Sequence, residues 1–133
     1  MFGLWSLKDG TKQIKENKMR TLNDYFLSVK LSDVSTAGSA YVVAPDSGKI
    51  IKIYSVLGRA IATADAAITT EINGVAVTGG AITIATSSSA AGDVDSAEPT
   101  AANSVQEGDV IEIITDGAST NTVPAEFTVI IRR

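Results

Sequence analysis

The chain has 133 residues, of which 44% are hydrophobic and only 5% aromatic, and it contains neither cysteine nor histidine. Those absences exclude a disulfide framework, a thiolate metal site and the usual histidine-based triads and metal centres. Net charge is −4 but unevenly spread: residues 1–30 hold six basic and three acidic side chains, residues 31–133 five basic and twelve acidic, which separates a basic arm from an acidic body.

The arm, residues 1–23, opens on an apolar tip, "MFGLW", containing the only tryptophan, and continues through "KDGTKQIKENKMRTLND". The apolar stretch before the first lysine is too short to read as a signal peptide. Thr11 is placed to cap a short helix, but Ile14, Met19 and Leu22 keep helical spacing poorly. A stretch this polar buries little of its own surface and is expected to be extended or ordered by something else.

Strand signals take over at Asp24. "YFLSVKL" alternates, with Tyr25, Leu27, Val29 and Leu31 on one face and Ser28 and Lys30 on the other. "DVSTAGS" reads as a loop. "AYVVAP" and "KIIKIYSVL", rich in β-branched residues, read as a hairpin turning over Asp46-Ser47-Gly48. Asn73-Gly74 and Gly79-Gly80 are turn signals dividing "AITTEI", "VAVT" and "AITIAT" into a three-stranded meander, with Ile82 and Ile84 inward and Thr83 outward. "SSSAAGDVDSAEPTAANSVQEG" reads as one long loop broken by Pro99. "DVIEIITDG" and "AEFTVIIRR" supply the last strands, the latter with Phe127, Val129 and Ile131 inward. Seven or eight strands with closely spaced turns predict an all-β, antiparallel sandwich or jelly-roll-like body over residues 24–133.

Chemistry is hard to place on this chain. Ser47 and Lys49 lie close together, but a lysine on a strand flank is ordinarily a solvated one. Asp93, Asp95 and Glu98 alternate as Ca²⁺ ligands can, but without the glycine and terminal glutamate spacing of a calcium loop, so a solvated loop is the default. No glycine pattern precedes a helix to cradle a phosphate. The acidic body opposes nucleic acid, and no stretch approaches a membrane helix. The phrase "AYVVAPDSGKIIKIYSVLG" is similar to the hairpin of biotinyl and lipoyl carrier domains. Their modified lysine sits at the hairpin tip, whereas Lys49 and Lys52 lie on the strand. No catalytic residue, cofactor, metal or small-molecule substrate is expected.

Three stretches carry a different resemblance: "YVVAPDSGKIIKIYSVLGRAIATADAAITTEINGVAVTGGAITIA", "AAGDVDSAEPTAANSVQEGDVIEIITDGAST" and the closing "FTVIIRR". Together they cover most of residues 38–133, and they resemble the capsid decoration, or cement, proteins of tailed bacteriophages. The resemblance implies a non-enzymatic virion protein on the capsid outer surface, made in the host cytoplasm. It also implies a homotrimer whose partner is the major capsid protein. The arm lies outside the resemblance. Its composition suggests capsid contact, with Phe2, Leu4, Trp5 and Leu7 as apolar anchors and Lys8, Lys12, Lys15, Lys18 and Arg20 complementing acidic surface. The alternative is a fibre or tail-associated module recognising host glycan through its Ser/Thr/Asn-rich loops, for which aromatic residues are scarce.

Overall fold

The computed structural model describes residues 23–133, and these form ten strands and no helix. In chain order they are β1 Asp24–Leu31, β2 Gly38–Val43, β3 Gly48–Leu57, β4 Ala66–Ile72, β5 Val75–Ala76, β6 Ile82–Ile84, β7 Val94–Ala97, β8 Ser104–Val105, β9 Val110–Thr115 and β10 Ala125–Arg132. They build two antiparallel sheets. The first runs β1-β10-β3-β7, with β8 also on β3; the second runs β2-β9-β4-β5, with β6 also on β4. The expected all-β sandwich is therefore the fold.

Alternation writes the two faces of each layer. In β10, Ala125, Phe127, Val129 and Ile131 are buried while Glu126 and Arg132 are exposed. Opposite them, Ile68, Ile72, Ile111 and Ile113 come up from the second sheet. Between the layers lies one core of Val, Ile, Leu and Ala with a single buried ring among the described residues, Phe127. That is the composition a chain with few aromatics must use to reach interior packing density.

Several local expectations give way to a different topology. β2 and β3 are not a hairpin: β2 pairs with β9 in the second sheet, and β3 with β10, β7 and β8 in the first. The turn at 44–47 instead carries the chain across the sandwich. Ala44 is fully buried, and its backbone is tied to the β8–β9 link by Ala44 N–H to Asp109 O and Gly108 N–H to Ala44 O, both 2.8 Å. Pairing to that distant link displaces the local partner.

The Asn73-Gly74 hairpin is present, with φ of 50° and 83° at the two turn residues, as a type I′ turn requires. The meander beyond it is not. β6 returns to β4, in register Ala66↔Ile84, instead of pairing with β5. Between them Thr78 bridges Ala101, which pulls "VAVT" off the sheet after two residues. The long loop contains β7 and β8, each too short to show a period of two, so the strand count rises to ten. The expected arm, with its short helix, lies outside the described residues apart from Asn23.

Candidate docking surface

β1 is an edge strand of the first sheet, and it is where the described chain begins. Asn23 is pinned there by the other terminus, through Arg133 N–H to Asn23 O at 2.8 Å. The register arranges the outward face of this sheet in rows. Asp24, Arg132 and Lys49 form the first. Phe26, Ile130 and Lys52 form the second. Ser28, Thr128, Tyr54 and Ser96 follow, and then Lys30, Glu126, Val56 and Val94. Ile51 is left over where the register slips between Ile130 and Ile131, a bulge that increases the local twist.

This face is apolar for a surface. Phe26 is 66% exposed and Val94 61%, with Tyr54 and Val56 also exposed. Phe26 lies directly across from Ile130, and Val56 across from Val94, the spacing at which cross-strand side chains touch. A groove of about 400 Å³ is lined by Asp24, Tyr25, Phe26, Thr128 and Ile130. A second, of about 510 Å³, lies beside it between Lys49, Ile51, Arg132 and Arg133.

The ionic groups around the grooves are paired, Lys49 apart. Arg132 grips Asp24 with two bonds, Nε at 2.8 Å and Nη2 at 2.9 Å. The hydrogen bond from Arg132 holds the Asp24 carboxyl below its ordinary value and raises the guanidinium in return. Lys52 bonds Glu98 at 3.0 Å, which raises its pKa, and its Nζ stands 5.3 Å from the centre of the Tyr54 ring. Tyr25 donates to Asp46 O at 2.6 Å, and burial, then the Asp46 charge, raise its pKa. Lys49 makes no ion pair among the described residues.

The cations are sorted between the layers. Residues 23–133 carry six cations, Lys30, Lys49, Lys52, Arg59, Arg132 and Arg133; each lies on a strand of the first sheet or within two residues of one. No Lys or Arg occurs from residue 60 to 131, whereas ten Asp and Glu do. The outward face of the second sheet accordingly carries Glu112 and Glu71 as direct cross-strand neighbours, with Tyr41, 65% exposed, on the other side of Glu112.

The residues singled out for chemistry fall apart in space or into structural work. Asp93 Oδ2 accepts the Ala90 N–H at 2.8 Å, and Glu98 is the partner of Lys52. Asp95 is half-buried, and burial, then the Asp93 charge, push its pKa up. Among the described residues no group of three Asp or Glu is placed to hold a metal ion. Lys49 points outward on β3, away from any partner for Ser47 chemistry. Phe2, Leu4, Trp5, Leu7, Lys8, Lys12, Lys15, Lys18 and Arg20 lie outside the described residues. The surface residues that sequence reading missed, Phe26, Ile130, Tyr54, Val56 and Val94, carried one signal. Each is an apolar residue on the polar phase of its strand.

No family model matches the chain, and no curated protein matches it. Solved structures do share its fold. A chain of the acidic stable capsid structure of Helicobacter pylori bacteriophage KHP30 superposes with TM-score 0.53 at 14% identity, over 83% of this chain and 87% of that one. CsCBM6-3 of Clostridium stercorarium, solved with cellobiose, gives 0.51 at 11% identity over 84% of both chains. The catalytic unit of a GH87 α-1,3-glucanase from Streptomyces thermodiastaticus gives 0.51 at 9% identity, and there this chain spans only 26% of the other's length. At these identities the likeness is one of fold. The fold occurs both in a phage capsid and in carbohydrate-binding modules. No helix among the described residues is long and apolar enough to cross a membrane.

Proposed function

We propose that this chain is a non-enzymatic structural protein of a tailed-phage particle, which decorates the shell and bridges neighbouring major capsid protein subunits as a homotrimer. The observation that carries the reading is the fold likeness to the KHP30 capsid chain, which spans nearly the whole of both chains, where the glucanase likeness is to a fragment. The sequence resemblance to cement proteins points the same way. In this reading residues 1–23 contact the capsid, with Phe2, Leu4, Trp5 and Leu7 as anchors and Lys8, Lys12, Lys15, Lys18 and Arg20 steering onto acidic surface. Symmetry then multiplies a modest interface into a strong one. Purified protein added to undecorated heads should bind saturably and in fixed stoichiometry, and deletion of residues 1–23 should weaken that binding strongly while the body still folds. A folded protein that does not bind heads refutes the proposal.

A second reading, a glycan-recognition module on a fibre or tail, is favoured by the likeness to CsCBM6-3 and by the row Tyr41, Glu112, Glu71, which offers a ring beside two acceptors. Against it, all five aromatic residues from 23 to 133 lie on strands, so the Ser/Thr-rich loops have no ring for a sugar to stack on. A glycan array without hits removes it.

A further inference from the structure

We infer that the outward face of the first sheet, centred on Phe26 and Ile130, is the body surface that seats on the shell, and that its occupant is an apolar protein surface with an acidic rim. This rests on the decoration reading and adds to it the orientation of the body. Three observations lead there. The segment whose chemistry asks for such a partner, residues 1–22 with five basic and two acidic side chains, joins the body at Asn23. From Asn23 it is three residues to Phe26, so the arm joins the body at the edge of this face, where a groove of about 400 Å³ is lined by Phe26 and Ile130.

The face also repeats the arm's chemistry, with Phe26, Ile130 and Val56 as apolar contacts and Lys49 as a cation free of any ion pair among the described residues. The cations, finally, all lie on this side: the outward face of the first sheet carries Lys30, Lys49, Lys52 and Arg132 beside Asp24, Glu126 and the Lys52 partner Glu98, while that of the second carries Glu71 and Glu112 with no Lys or Arg. Packed sheets lie about 10 Å apart. The Debye length at physiological salt is about 8 Å. An acidic partner touching the first sheet therefore feels Glu71 and Glu112 attenuated by more than one screening length, while it meets Lys49 in contact, with Asp24 and Glu98 on that face each held in an ion pair. A body with net charge −7 thus presents its cations to an acidic surface in one orientation and only Glu71 and Glu112 in the opposite one.

The test uses the full-length protein and undecorated heads. Phe26→Asp and Lys49→Glu, both at exposed positions, should each raise the concentration for half-saturation about tenfold. Tyr41→Asp, equally exposed on the second sheet, should change it less than about twofold. Wild-type binding that deletion of residues 1–23 weakens, but that Phe26→Asp and Lys49→Glu leave intact, overturns the inference and spares the decoration reading. Failure of the wild type to bind refutes both. If Phe26→Asp dissociates the free oligomer in light scattering while head binding per subunit is unchanged, the face is a contact between copies, and the inference is wrong.

Discussion

Gly117 and Gly74 both have positive φ, 74° and 83°, but a side chain would meet very different surroundings at the two sites. At Gly74 a Cβ has nothing within 4 Å. At Gly117 it would fall on the amide nitrogen of Ala37 and within 2.9 Å of that residue's Cα. Alanine at either site carries the left-handed penalty of about 1 kcal/mol. At 117 it must also displace the backbone between β1 and β2. That link is held on its other side by Val34 N–H to Val123 O at 2.8 Å and Thr115 Oγ1 to Val34 O at 2.7 Å, so it cannot simply swing away. Overpacking of this kind adds about 1–3 kcal/mol. Gly74→Ala should therefore lower stability by about 1 kcal/mol, and Gly117→Ala by about 3 kcal/mol, from a total of about 5–15 kcal/mol. Urea unfolding followed by far-UV circular dichroism measures both, since the single tryptophan, Trp5, lies outside the described body. Equal losses for the two variants, within about 0.5 kcal/mol, would refute the account of the Ala37 contact.

Three further outcomes are expected. Phe127→Ala, removing the one fully buried ring among the described residues, should cost about 3–5 kcal/mol, and Phe127→Leu clearly less, both by urea midpoint at constant m-value. Thr70 Oγ1 is buried without a hydrogen-bond partner among the described residues, so Thr70→Val should be neutral or raise stability by up to about 1 kcal/mol; a loss above that shows the hydroxyl has a partner. The Asp33 carboxylate accepts from Ser35 Oγ and N–H, Val123 N–H and Thr36 Oγ1, which together hold its pKa down at about 2 from 3.8. A depressed carboxyl contributes stability above its unfolded value that is lost as pH falls through its folded one. The contribution is thus complete above about pH 4 and gone below about 2. Thermal melts across that window should show a shallower acid-side fall for Asp33→Asn, and an unchanged fall would contradict the assignment.

What the sequence made legible was whatever is decided within a strand or a two-residue turn. Phe127, Val129 and Ile131 alternate with outward residues, and the core sits where they point. Asn73-Gly74 makes its hairpin because the turn chemistry is local. What it hid was which sheet each strand joins. Both sheets bury one face of the same Val/Ile composition, so the pattern in "AYVVAP" is equally good beside β3 or across the core beside β9. The choice falls to long-range links such as Ala44 to Asp109. The docking face was hidden for a related reason. Phe26 meets Ile130, and Val56 meets Val94, across strands far apart in the chain, only through the β1-β10-β3-β7 order.

The acidity of the body has a structural cause, and this bears on how the protein meets a partner. Asp33, Asp65, Asp93, Asp109 and Asp116 each accept a backbone N–H in a turn or link, at 2.8–3.3 Å. The bonds to Ser35, Thr86 and Gln106 hold Asp33, Asp65 and Asp109 below the ordinary carboxylate value. A two-sheet sandwich that crosses between layers this often has many loop amides to satisfy, and short carboxylates do so without bulk. Negative charge therefore accumulates wherever turns do, regardless of function. The placement of cations is under no such constraint. Their confinement to the first sheet, beside the root of a basic arm, is the part of the charge pattern that turn chemistry leaves unexplained, and it is what the proposed orientation on an acidic partner addresses.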